Sequence, residues 1–518
     1  MTFARARRAS TAGLLLLSMT VLAAAGCGSS GPSGRAGGSK TLKVAYGIGP
    51  NSLDPALLDQ SAEWYIDLAY DPLIQMGADG RPEPGLATAW RYVGSDNKTF
   101  ELTLRRGVKF SDGSALTAEG VKAHFEHVKK ANGPNAAYLA PVSSIEVVDP
   151  LTLRLKLSVP NPLLPTMLSH QYVVGDVISP EALKDPTTLA THTAGAGPYV
   201  LDRAATVSGD HYSYRPNPHY WNKAAIRYQR VEIKVIPNQN AVLDALRTGQ
   251  ANFAGGDYTT AAGAKRAGLT VKFTPQVFMG LLLGDRGGKL SKPLADVRVR
   301  QAINHAIDRK AIVKAMFDTY GRPTTQTSNG DGFDPQLDDA YAYDPAKAKA
   351  LLAQAGYAGG FTLPVLSTPV FSGDTMTQAI AGQLEQVGIK LKTTSVSNAA
   401  QYTGRLFGAK YPAAIVGYGS QPMYLEGPGL YLPNAAFNPF RSSDPQLTAL
   451  YGRLAGATQD QIGPLSRKIQ QRLVDLAWFA PVGLAPLVYY ADKSVDPSSV
   501  KTSPQAPIPA IAELKPAS

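Results

Sequence analysis

His124 and His127 stand three apart with Glu126 between them, in a stretch that reads as a helix. At that spacing two imidazoles share one helical face and begin a metal site, but such a centre needs a third ligand and nothing in the sequence marks one. Gly195-Ala196-Gly197 has the small residues of a phosphate loop, yet Pro198-Tyr199 follow where a helix must begin, and no Gly-Lys-Ser/Thr is present. Gly417-Tyr418-Gly419-Ser420-Gln421 comes nearest to a nucleophile elbow and fails its pattern. The chain has one cysteine, Cys27, which excludes an intramolecular disulfide, a thiolate cluster and a redox pair. No nucleophile–base pair is visible, so the chemistry expected is recognition: no enzyme activity, no cofactor, no metal.

The elements that would position a recognition site alternate between strands and helices. Thr41–Tyr46 and Thr99–Arg105 alternate like strands, and Ile145–Val148 with Thr152–Leu157 flank an Asp-Pro-Leu turn as a hairpin. Val231–Ile236 is a strand that Pro237 ends, followed by a helix from about Asn240 to Arg247. After Asp296, apolar Val299, Ile303, Ala306 and Ile307 recur on one helical face. Asp344-Pro345 open another helix, which stops at Gly356. Asp374 opens a third, closed by Gly388, and Ile389–Val396 is a strand again. Such alternation argues for an α/β fold, and 518 residues argue for two or three subdomains. The tryptophans Trp64, Trp90, Trp221 and Trp478 are spread along the chain and read as core.

The first 26 residues have a different logic. Arg5, Arg7 and Arg8 precede an apolar stretch from about Leu14 to Ala25, and Ala24-Ala25-Gly26 stand before Cys27. This is the layout of a secretory signal, too short to span a bilayer as a lasting anchor. The small residues before Cys27 resemble the bacterial lipobox, with Ala24 where that motif prefers Leu. The resemblance implies that Cys27 is lipidated and tethers the protein to the outer face of the cell membrane. Residues 27–40, Gly/Ser-rich, read as a flexible tether. The net charge is +11, with no Lys/Arg run dense enough for nucleic acid.

Several blocks together make the body recognisable. They are Asn51-Ser52-Leu53-Asp54-Pro55, Asp71-Pro72-Leu73, Pro84–Trp90, Leu104–Gly113, Leu116–Glu119, Gly197-Pro198-Tyr199, Asn217–Trp221 and Asp296–Arg309. In this order and spacing the chain, from about Thr41 to Tyr490, resembles family 5 extracellular solute-binding proteins, the capture subunits of dipeptide, oligopeptide and nickel ABC importers. The resemblance implies a two-lobed periplasmic-binding-protein-like fold of type II, in the large class with an extra subdomain. Lobe 1 is expected over 41–274 plus 478–518, with the subdomain at about 80–190, and lobe 2 over 275–477. Ligand is expected between the lobes, and the partners are a permease and an ATPase subunit. A monomer is expected.

The resemblance also implies candidate ligand-binding residues. Peptide-binding members carry a Trp-x-x-Asp segment whose acid pairs with the peptide ammonium; the matching stretch here is Tyr418-Gly419-Ser420-Gln421. Tyr418 keeps an aromatic wall, while Gln421 is neutral where the acid is expected, with Glu426 the next carboxylate. A buried ammonium without a counter-charge costs several kcal/mol, so Gln421 is expected to disfavour a free peptide N-terminus. Tyr46, Gly47, Asn51 and Ser52 follow the first strand at the expected cleft edge, Val277, Phe278 and Met279 lie at a lobe crossing, and Met423 follows the Tyr418 block. The expected ligand is a small solute, peptide or peptide-like; a sugar, a metal chelate or another non-peptide solute is the alternative, and an extracellular hydrolase a further one.

Overall fold

A computed structural model of the chain describes residues 41–77 and 80–518; the leader, Cys27 and the tether lie outside the described residues. Thr41–Tyr46 forms the expected strand, with Leu42 and Val44 buried and Thr41 and Lys43 part-exposed. It runs parallel to Arg230–Val235 on one side and to Phe253–Gly256 on the other. His211–Pro216 and Tyr199–Leu201 extend that sheet antiparallel. On its other edge, Phe253–Gly256 pairs with the end of Phe479–Ala491.

Phe479–Ala491 pairs along its length with Thr270–Leu283, and this antiparallel ribbon belongs to both halves of the molecule. From Val277 onward Thr270–Leu283 also pairs with Ala413–Gly419, beyond which Phe361–Ser367 and Ile389–Ser395 lie in parallel. The ribbon is irregular twice, between Pro275 and Val277 and between Met279 and Gly280. At Gly280 the strands approach so closely that a Cβ would lie 2.5 Å from the Ala480 carbonyl oxygen.

A separate four-stranded antiparallel sheet, in the order Ala87–Tyr92, Thr99–Leu104, Thr152–Leu157 and Val142–Asp149, packs with helix Ala118–Ala131 around its own core of Phe100, Leu102, Val121 and Phe125. Thr117 caps that helix, its hydroxyl accepting from the Gly120 N–H at 3.1 Å. The helical periodicity after Asp296 resolves into two helices, Val297–His305 and Arg309–Phe317, the second capped by Asp308. Pro345–Gln354 is capped by Asp344 as expected. Asp374 does not cap its helix: Gly373–Glu385 starts one residue earlier, and the Asp374 carboxylate instead accepts from the hydroxyls of Ser367 at 2.5 Å and Ser395 at 2.6 Å, joining two neighbouring strands.

The glycines around Ala196 have a packing role. A Cβ on Gly197 would come within 2.5 Å of the Ala69 carbonyl carbon, so the segment is a close backbone approach and not a phosphate loop. Nearby, the Trp221 indole N–H donates to Asp71 Oδ2 at 2.7 Å and the Arg105 guanidinium lies 4.1 Å over the indole ring. The two spaced histidines part company. His124 is buried, with Nε2 3.0 Å from the Val174 carbonyl oxygen, whereas His127 meets Asp54 at 2.9 Å.

The first lobe buries several carboxyls. Burial pushes Asp67 and Asp71 up to about 7. Burial and adjacent carboxylates push Glu63 and Asp176 well above the ordinary range. The folded state therefore holds protons that the unfolded chain has released, a contribution to stability that is lost as pH rises through about 7. Buried His124, pushed down to about 4, acts in the opposite direction only below its ordinary value of 6.5. Between pH 6.5 and about 8 the melting temperature is expected to fall by several degrees, and Asp67→Asn to flatten the slope. Thermal denaturation across that range checks it, and a level or rising profile rejects the assignment.

Candidate functional site: a cavity between the lobes

Where the ribbon passes between the lobes, a cavity of about 320 Å³ is left, within the scale of small-molecule sites. Its first-lobe wall is the turn Gln60–Glu63, the segment carrying Thr166, Gln171 and Tyr172, and the C-terminal stretch with Pro504, Gln505 and Pro507. The second lobe supplies Gly330-Asp331, Gly419–Pro422, and Gln459 and Ile462 from helix Gln459–Leu476; the ribbon supplies Gln276, Val277 and Leu487.

Gln276 is the residue set out of the ladder at the first ribbon irregularity. Its Nε2 donates to the Ser420 carbonyl at 2.8 Å, and the Ser420 N–H returns a bond to the Gln276 carbonyl at 3.1 Å. That donor contact fixes the amide's orientation and leaves Oε1 buried without a partner. The Ser420 hydroxyl accepts from the Asn329 N–H at 2.8 Å; Asn329 in turn donates to Pro275 O at 2.6 Å and accepts from Arg322 at 2.7 Å. The wall near the ribbon is thus held by its own hydrogen bonds, while one acceptor stays open. A buried acceptor left open costs about 1–3 kcal/mol, which a bound N–H recovers.

Six glutamines, Gln60, Gln171, Gln276, Gln421, Gln459 and Gln505, line the cavity. Asp331 accepts from the Met423 N–H and the Ser466 hydroxyl, each at 2.8 Å, and burial raises its carboxyl. Glu426 does not reach the cavity. It lies buried beneath Gln421, accepting from the Gln421 N–H at 3.2 Å and the Tyr431 hydroxyl at 3.0 Å, and burial raises it to about 8.

Of the residues singled out from sequence, Val277, Gly419, Ser420 and Gln421 line the cavity. Tyr418 stands behind them, its hydroxyl 3.4 Å from Gln421 Nε2 and its ring edge-on to Phe437. Tyr46 and Asn51 support the first-lobe wall without lining it. The Tyr46 hydroxyl donates to Ser61 O at 2.5 Å; Asn51 Oδ1 accepts from the Asp59 N–H at 3.2 Å, and Asp59 accepts from Ser61 N–H at 2.8 Å. Ser52 accepts from the Asp54 N–H at 3.1 Å, and Gly47 packs near Gln239. Phe278 and Met279 fall into cores on opposite faces of the second-lobe strands, because successive side chains alternate, and Met423 packs in the Phe278 core against Tyr451. Sequence reasoning missed Glu63, Gln171, Gln276, Asp331 and the C-terminal wall; nothing local in the sequence marks them.

The chain matches the family described as bacterial extracellular solute-binding proteins, family 5 (middle), over residues 81–433. It belongs to that family. The glutathione-binding protein GsiB of Salmonella choleraesuis is 30% identical over 394 residues, 74% of this chain and 75% of that one. The substrate-binding protein CtaP of Listeria monocytogenes aligns at a TM-score of 0.79 with 22% identity, covering 93% of this chain and all of that one. DppA of Helicobacter pylori, solved with the peptide STSA, aligns at 0.70 with 21% identity over 93% and 99% of the two chains. These likenesses show the two-lobed periplasmic-binding-protein fold expected from sequence. This family 5 protein is the solute-binding component of an ABC importer, a binder that delivers to a permease and not an enzyme. No helix among the described residues is long and apolar enough to cross a membrane.

The lobes also touch beside the cavity. Asn97 Nδ2, in the first-lobe subdomain, donates to Ala457 O at 2.8 Å, and the Tyr424 hydroxyl of the second lobe donates to Pro160 O at 2.7 Å. Each bond favours this arrangement of the lobes by about 1 kcal/mol. Asn97→Ala with Tyr424→Phe is therefore expected to weaken ligand binding by roughly tenfold or more while leaving the fold intact. Calorimetry beside a melting curve checks this; unchanged affinity removes these contacts from the closure equilibrium.

Proposed function

We propose that this protein captures a small peptide-like solute outside the cell, between its two lobes, and that a lipidated Cys27 holds it at the outer face of the cell membrane as a monomer. The observation that carries the ligand reading is the amide-lined cavity, where Gln276 offers an open acceptor and Gln171 Nε2 lacks a partner. A peptide group carries one N–H and one C=O, and so answers both. The names of relatives agree in kind: GsiB is named for glutathione and the Helicobacter pylori protein was solved with a peptide. Gly419–Gln421, the stretch that matches the peptide-binding segment of the family, forms part of the wall.

The mature protein, extracted from membranes in mild detergent, is expected to show extra native mass that fragments to an amide-linked compound. A co-purified sugar or chelate overturns the peptide-like reading; an empty protein moves the test to a thermal-shift panel, where the true solute raises the melting temperature. Cys27→Ser is expected to move the protein from the membrane fraction to the soluble exported fraction. An unchanged distribution rejects the lipid anchor.

A further inference from the structure

We infer that the solute carries a basic nitrogen, an ammonium or guanidinium, held by Glu63, and no free carboxylate. This rests on the reading that the interlobe cavity is the ligand site, and it goes further by fixing the charge of what enters. Among the described residues lining the cavity, Glu63 and Asp331 are the acidic ones, and no Lys, Arg or His is among them. They come from opposite lobes, so an anion would meet a carboxyl from either side and no cation.

The two acids are not equivalent. Both Asp331 oxygens already accept a hydrogen bond within the second lobe. Glu63 is 6% exposed and begins the short helix Trp64–Asp67 without capping it. No described Lys or Arg pairs with it, and no described N–H or O–H donates to its carboxyl. Burial and the neighbouring carboxyls of Asp67 and Asp176 disfavour a negative charge on Glu63 unless a cation enters beside it. Gln276 Oε1 points the same way: its orientation is fixed by the bond to Ser420, and it too is an acceptor with no donor. Gln276 Oε1 is an acceptor as it stands and Glu63 becomes one once a cation beside it restores its charge, so the cavity takes a donor-rich ligand, and a protonated nitrogen is the strongest donor available. From Gln421 the expectation is that an ammonium finds no counter-charge at that position; Glu63 stands on the opposite wall.

The test uses the full-length protein in mild detergent and four probes: alanyl-alanine amide (a cation), alanyl-alanine (a zwitterion), N-acetyl-alanyl-alanine amide (neutral) and spermidine (a cation without a peptide group). Calorimetry is expected to rank alanyl-alanine amide at least about tenfold tighter than the zwitterion and the neutral amide. Glu63→Gln is expected to erase that preference. The inference is overturned if the zwitterion binds as tightly as the amide, if the preference survives Glu63→Gln, or if neither cation binds. Should Glu63→Gln fail to fold, the ranking on the unaltered protein decides. The two readings fail separately. Spermidine bound through Glu63 with no dipeptide bound keeps the inference and removes the peptide-like reading; dipeptides bound without regard to charge or Glu63 do the reverse.

Discussion

The pairing of Thr270–Leu283 with Phe479–Ala491 runs from Thr270 opposite Ala491 to Leu282 opposite Phe479, and its two ends serve different sheets. Each strand is therefore held by hydrogen bonds to both lobes, and a change in the angle between the lobes must pass through the ribbon. A regular ladder resists bending in its plane. The ladder here is broken at Gln276 and again beside Gly280, where bulges locally raise twist and free backbone groups. The freed groups are answered from the second lobe. Arg309 Nε donates to Pro481 O at 2.7 Å beside the second break, and Asn304 Nδ2 donates to Phe479 O at 3.0 Å where the strand begins. Both residues lie in the Asp296–Arg309 block, so a stretch legible as a family signature is, physically, the clamp that keeps the irregular ribbon seated in its lobe.

Gln276 sits at one break and also walls the cavity. Its double bond to Ser420 ties the ribbon to the end of Ala413–Gly419. The ribbon joins two separate cores, that of Trp64, Tyr65 and Phe253, which takes in Tyr489, and that of Val299, Ile303 and Leu363, which takes in Ala480 and Val482. That is the arrangement a closure motion needs: a few residues absorb the change and rigid bodies follow.

The sequence reveals the parts of this molecule that obey local rules. Alternation placed Thr41–Tyr46, and Asp344-Pro345 placed a helix start, because capping and pleat depend on neighbours in the chain. Asp374 broke the rule since its carboxylate found two serines on adjacent strands, a tertiary opportunity that no local pattern encodes. The cavity divides in the same way. The Gly419–Gln421 stretch was legible from its motif, yet Phe278 and Met279 beside Val277 were not sorted, because facing depends on the sheet's pleat and on a bulge between Met279 and Gly280. Glu63 and Asp331 were illegible: they lie 268 positions apart and meet the same space only because the ribbon brings two lobes together.

A cavity shared between lobes converts binding into a signal. Glu63, Gln171 and Gln505 stand on one side, and Asp331, Ser420 and Gln421 on the other. A solute that bonds to both sides stabilises the closed arrangement by its difference in affinity between closed and open forms, whereas a solute satisfied by one side alone shifts nothing. Lobe-to-lobe contacts such as Asn97 to Ala457 add to that balance. The open acceptor on Gln276 sharpens that dependence: it is buried with no partner when the cavity is empty, and a donor-bearing solute removes this cost. The unfilled polar groups thus act against futile closure as much as for recognition, and this is how a binder can report occupancy, and not mere collision, to the permease it serves.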